Sequence, residues 1–76
     1  MKICVAGACG RMGRRILELA VSSEGIEIGG AFDVPDRAGI EIAVGIESGR
    51  RQTVRVSSDA AAEVAKADVL IDFTVA

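Results

Sequence analysis

The sequence predicts an α/β domain, a doubly wound parallel sheet with covering helices. Three observations carry that prediction. Residues 2–6 form a near-continuous apolar run, as a strand covered on both faces requires. A helical pattern follows at once, and extended and helical patterns then alternate along the chain. Between the first strand and the first helix stand Gly7, Gly10 and Gly13, spaced G-x-x-G-x-x-G.

The elements follow in order. In the first helix, Met12, Ile16, Leu19 and Ala20 draw one apolar stripe, with Arg14, Arg15, Glu18 and Ser22 mostly off it. Gly25 is the expected stop, as a C′ residue. Residues 26–32 are a second strand with Asp33 at its end, and 33–37 are a turn cluster around Pro35. Residues 38–53 carry conflicting signals. Ile40, Ile42, Val44 and Ile46 alternate as in a strand, while Gly39, Gly45 and Gly49 favour a loop. The expectation is a mobile loop with some extended pairing. Residues 53–57 are a third strand, and Ser58 or Asp59 caps an alanine-rich helix to about residue 67. A fourth strand opens at Val69 and runs through Asp72 to Thr74. Right-handed crossovers give the strand order 3-2-1-4, the first portion of a doubly wound sheet.

The bulk properties fit one small domain spanning residues 1–76 and exclude several functions. Half of the 76 residues are apolar, but only Phe32 and Phe73 are aromatic, so Val, Ile, Leu and Ala build the core. A chain this short buries only about 60% of its unfolded surface. The net charge of −2, with acids and bases mixed, gives no footprint for nucleic acid. No apolar run reaches the length of a membrane span. The first apolar run is also too short for a signal peptide, and Arg11, Arg14 and Arg15 follow it, so a cytoplasmic location is expected. There is no histidine, and Cys4 and Cys9 are not spaced as a metal pair, so no metal site is expected. Cys4 reads as a small buried hydrophobe on a strand.

The glycine turn carries the chemistry. Gly7 lets the chain leave the strand sharply, Gly10 removes a Cβ that would hold backbone amides away from a phosphate, and Gly13 lets the helix approach the sheet. Free amides and the dipole at the helix start then face a pyrophosphate. Asp33, twenty residues after Gly13, stands where an acid accepts hydrogen bonds from the adenosine ribose. An Asx-turn before Pro35 explains the same residue structurally, and the two roles are compatible. Arg11 and Arg14 are within range of a phosphate, and cations at a helix N-terminus oppose its dipole unless an anion binds there. Cys9, beside those arginines, is expected to have a lowered thiol pKa, to react faster than Cys4 and to be covered by bound cofactor.

These residues resemble one family. The string Val5-Ala6-Gly7-Ala8-Cys9-Gly10-Arg11-Met12-Gly13-Arg14 is similar to the opening fingerprint of the dihydrodipicolinate reductases. Gly30-Ala31-Phe32-Asp33 resembles their second strand and its acid, and Ala67-Asp68-Val69-Leu70-Ile71-Asp72-Phe73-Thr74 resembles their fourth strand. The resemblance implies a Rossmann-type domain that binds NAD(H) or NADP(H). It further implies an oxidoreductase of lysine and diaminopimelate biosynthesis, passing a hydride to a cyclic dicarboxylate. Carried over residue by residue, Gly7, Ala8, Cys9, Gly10, Arg11 and Met12 contact the pyrophosphate, with Gly13 completing the turn. Asp33 holds the ribose, and Phe73 and Thr74 border the cofactor.

This chain departs from the family in three places. Many members have an arginine directly after the acid, favouring NADPH, where Val34 and Pro35 stand here, leaving Arg37 or Arg14 to substitute. Cys9 replaces a residue that is more often glycine or small and polar. The family's second domain, with a histidine pair, a lysine and a substrate loop, has no counterpart, so these residues are expected to be an N-terminal portion with no catalytic residue of its own. The residues also leave open the cofactor domain of a homoserine or aspartate dehydrogenase, a non-catalytic dinucleotide sensor, and a scaffold that binds nothing. The apolar fourth strand, with one edge unpaired, is expected to promote self-association or binding of another chain.

Overall fold

The computed structural model describes residues 1–72. Strand β1 (Lys2–Ala6) is central because its residues are apolar on both sides, and Ile3, Cys4, Val5 and Ala6 are all buried. It pairs in parallel with β2 (Glu27–Phe32) on one side and with β5 (Val69–Asp72) on the other. Helix α1 (Arg11–Val21) connects β1 to β2. A 3-10 turn (Pro35–Arg37), strands β3 (Glu41–Val44) and β4 (Gln52–Arg55), and helix α2 (Ala60–Val64) lie between β2 and β5. The core gathers Ile3, Val5, Leu17, Ala20, Ala31 and the inward residues Ile42, Val44, Val54 and Val56. No described helix is long and apolar enough to cross a membrane.

The parallel sheet has the order β2-β1-β5, which corresponds to the predicted strands 2-1-4. The predicted third strand is not a member of that sheet. Residues 52–55 instead pair antiparallel with β3, from Glu41↔Arg55 to Val44↔Gln52. Only a single parallel bridge, Phe32↔Ser57, joins this segment to the outer edge of β2. One cause is visible on that edge. The Ala31 amide donates to Glu63 Oε1 at 3.2 Å, so a side chain occupies a position that a strand carbonyl would take in a ladder. Glu63 is only 6% exposed, and its other oxygen accepts from Lys66 Nζ at 2.6 Å.

Four local expectations are corrected or refined. Residues 38–53 are mostly turns and irregular chain, and the expected extended pairing within them is a regular antiparallel hairpin of β3 and β4 organised by burial of Ile42, Val44 and Val54. Helix α1 buries Gly13, Leu17, Ala20 and Val21, whereas Met12 and Leu19 are 52% and 53% exposed. The close approach at Gly13 rotates that i, i+4, i+7, i+8 face onto the sheet. The helix also stops before Gly25. Ser22 is its C-cap, and the Ser22 and Ser23 hydroxyls donate to carbonyls of the last turn, while Gly25, at φ 79°, turns the chain into β2. Asp59 caps α2 by accepting from the Ala62 amide at 3.1 Å, but the helix ends at Val64 rather than near residue 67.

Candidate dinucleotide site

The turn between β1 and α1 is shaped by backbone groups. Gly7 has φ 72°, a left-handed conformation that glycine adopts without a Cβ penalty. Its amide and that of Ala8 both donate to the Phe32 carbonyl, at 3.0 and 3.3 Å, tying the turn to the end of β2. The Gly10 amide donates to the Gly7 carbonyl at 3.1 Å and closes the loop. Gly10 is then the N-cap of α1, with no side-chain acceptor at the cap and no acidic residue in the first helical turn.

That geometry divides the predicted phosphate-binding run. The amides of Gly7, Ala8, Cys9 and Gly10 all have protein acceptors. The amides of Arg11, Met12 and Gly13, which a helix cannot satisfy internally, have no acceptor among the described residues. Gly10, Arg11 and Met12 are exposed, whereas the Ala8 and Cys9 side chains are buried. A Cβ on Gly10 would come no closer than 3.4 Å to the Gly7 carbonyl oxygen, so the protein itself leaves room for a side chain there. At Gly13 a Cβ would lie 2.2 Å from that same oxygen, with Ala8 backbone atoms at 2.7 and 2.9 Å. Gly13 therefore serves the approach of helix to strand.

Asp33, just after β2, lies against this turn. Its Oδ2 accepts from the Cys9 amide at 2.9 Å and its Oδ1 from the Val34 amide at 2.8 Å. The local bond is to the next residue's amide rather than to one two residues on, so it differs from the expected Asx-turn. Burial raises the carboxyl pKa, but the Val34 and Cys9 amides, the Arg37 guanidinium and the Cys9 thiol together hold it below its ordinary value of 3.8. The carboxylate is ionised at neutral pH and keeps further acceptor capacity, since two oxygens offer about four acceptor sites. Arg14 Nε donates to the Cys9 carbonyl at 3.2 Å, which bends this side chain back over the turn.

The expectation for Cys9 is overturned. Its side chain is 6% exposed, and burial, with the Asp33 carboxylate next, pushes the thiol above its ordinary value of 9.0. Arg37 and Arg14 pull the other way without prevailing. A buried, protonated thiol is slow to react, as Cys4 is for the same reason. Phe73 and Thr74 lie outside the described residues. Among the described residues no group of three or more His, Cys, Asp or Glu side chains is arranged to hold a metal. Glu63 was not singled out by sequence. The Gly29-Gly30 pair inside a strand was the available signal, because a Cβ at Gly29 would lie 2.6 Å from the Lys66 carbonyl oxygen just after α2, and one at Gly30 would lie 2.7 Å from the Glu63 carbonyl oxygen.

Comparison with known proteins bears on the same residues. The family described as dihydrodipicolinate reductase, N-terminus, matches residues 1–76. The chain is 45% identical over 74 residues to a 4-hydroxy-tetrahydrodipicolinate reductase of Cupriavidus metallidurans, covering 97% of this chain and 28% of that protein. It is 46% identical to the reductase of Cupriavidus necator and 39% identical to that of Ralstonia pickettii, with the same coverage. The chain thus spans little more than a quarter of the length of these relatives, 28% in each case.

Proposed function

The chain belongs to the dihydrodipicolinate reductase N-terminal family, and from that premise we propose that it is the NAD(P)(H)-binding part of a 4-hydroxy-tetrahydrodipicolinate reductase. The observation that supports this most is the group of Arg11, Met12 and Gly13 amides at the start of α1, which have no acceptor among the described residues, with Asp33 bonded to the adjoining Cys9 amide. Those amides bind the pyrophosphate, helped by the helix dipole, and the absence of an acid in the first turn leaves no competing anion. The hydrogen bonds to Phe32 and Asp33 fix the turn before ligand arrives, so little ordering cost remains on binding. Asp33 accepts from the adenosine ribose, with Phe73 and Thr74 bordering the cofactor further along.

The bound nicotinamide supplies the hydride. The full-length protein directs it to a cyclic dicarboxylate in lysine and diaminopimelate biosynthesis. The family match favours this reading over the homoserine and aspartate dehydrogenases that the residues alone left open. Calorimetric titration tests it. NADH or NADPH should bind, weakly when only this part of the crevice is present, and no heat with either would contradict the proposal.

Association through β5 belongs to the same proposal. Val69 and Leu70 are 43% and 45% exposed on β5, the last strand in the order β2-β1-β5. Sedimentation should show self-association that rises with concentration. A monomer at every concentration would contradict it.

A further inference from the structure

Strand β2 does not keep step with β1. Lys2 and Ile3 pair with Glu27 and Ile28, but Cys4 pairs with Gly30, so Gly29 is passed over and the register advances by one residue. Such a bulge decides where every later residue of the strand arrives. Beyond it Val5 faces Ala31 and Ala6 faces Phe32. The Phe32 carbonyl thereby meets the Gly7 and Ala8 amides, and Asp33 Oδ2 meets the Cys9 amide at 2.9 Å. Without the bulge each of these residues would stand one position away, with its side chain on the opposite face.

The bulge is held from its outer edge. Gly29 and Gly30 admit the Lys66 and Glu63 backbone, whose carbonyl oxygens would lie 2.6 and 2.7 Å from added Cβ atoms. From there Glu63 Oε1 accepts from the amide of Ala31, the next residue, at 3.2 Å, while Oε2 accepts from Lys66 Nζ at 2.6 Å. Ala31 is fully buried, so its amide needs that acceptor. On the same edge the Ala31 carbonyl accepts from the Ser57 amide at 3.0 Å. Glu63 is itself 6% exposed. A buried carboxylate is a costly way to fill space, and an apolar side chain would serve packing alone. What the carboxylate adds is an acceptor for β2 immediately after the bulge.

We propose that Glu63 is a positioning residue of the dinucleotide site: by holding the Ala31 amide it fixes the bulged register of β2 and so delivers the Asp33 carboxylate to the adenosine ribose. The inference rests on the reading of Asp33 given above and adds the residue, remote from the glycine turn, that places it. Lys66 balances the buried charge and is itself exposed, so it acts on the site only through Glu63.

The test is calorimetric titration of the intact gene product with NADH and with the NADH analogue that lacks the 2′-hydroxyl of the adenosine ribose. Wild type should bind NADH roughly tenfold to a hundredfold more tightly, as a hydrogen bond to a charged group does. Glu63→Gln keeps an acceptor for the Ala31 amide and should keep that ratio. Glu63→Leu fills the space without an acceptor and should bring the ratio close to unity, with urea unfolding showing that it is folded during titration. A general loosening would weaken both ligands alike, so a wild-type ratio in Glu63→Leu overturns the assignment of Glu63 and leaves the dinucleotide reading standing. Failure of wild type to bind NADH, or a ratio of unity in wild type, overturns the role of Asp33 on which the proposal depends. Native-state hydrogen exchange of wild type needs no variant. The Cys9 amide should exchange in every opening that releases the Ala31 amide, and a Cys9 amide that stays protected while Ala31 exchanges overturns the coupling.

Discussion

The two sides of the glycine turn differ in what they require of the sequence. On the inner side, Gly13 is enclosed by the backbone of Gly7 and Ala8, and a Cβ there would lie 2.2 Å from a carbonyl oxygen. On the outer side, Gly10 is exposed, has the ordinary φ of −74° and would tolerate a Cβ within the protein. One glycine is demanded by packing. The other has no internal reason to be glycine, and under the proposed function a ligand approaching the free amides supplies one.

The largest effect expected from this contrast is on the inner side. Gly13→Ala should lower stability by about 3 kcal/mol, because backbone on both sides cannot yield to the added carbon. The gain of about 1 kcal/mol in helix propensity does not offset it. Urea unfolding should show a clear fall in midpoint, and a midpoint at or above that of wild type would erase the distinction between the two glycines.

Next in size is the outer side. Gly10→Val should weaken NADH and NADPH by at least about tenfold while stability changes by only about 1 kcal/mol, the cost of a poorer N-cap. Titration alongside urea unfolding separates the two. Loss of binding only in step with loss of folding would make Gly10 structural.

Asp33→Asn should have a smaller effect. It removes the charge that accepts from the Cys9 and Val34 amides and should weaken NADH by up to about tenfold. The same residue predicts an acid dependence. Its folded pKa lies below the ordinary 3.8, so its contribution to stability is full above that value and is lost as pH falls through the lowered folded value. Melting temperature measured from neutral pH to below 3.8 should show this component in wild type and not in the variant. The smallest effect concerns Cys9. Alkylation under native conditions should be slow at both Cys9 and Cys4 and become fast in urea, and rapid native labelling of Cys9 would contradict its burial.

The same contrast explains what the sequence made legible. The turn at Gly7 and the close approach at Gly13 are legible because each depends on local backbone geometry at a fixed place after a strand. The three strands of the parallel sheet are legible for a similar reason, since runs such as Ile3 to Ala6 permit few other structures. The hairpin was legible only as some extended pairing. Gly39, Gly45 and Gly49 favour a loop, and only burial of Ile42, Val44, Val54 and Val56 in the common core overrides them. Displacement of the third strand from the sheet depends on Glu63, thirty-two positions from the Ala31 amide it engages, and no local pattern encodes that contact. Cys9 was misread because its neighbours in sequence are cations, whereas its surroundings in space are apolar core and a carboxylate.

The most direct test of the account is the set of backbone amide resonances of residues 7–13 followed during titration with NADH and NADPH. The account predicts that the largest shifts fall on Arg11, Met12 and Gly13, whose amides have no acceptor among the described residues. Ala8 and Cys9, already bonded to Phe32 and Asp33, should shift less. Shifts confined to the hairpin or to β5, with Arg11 to Gly13 unmoved at saturating cofactor, would show that the amides at the start of α1 do not hold the pyrophosphate.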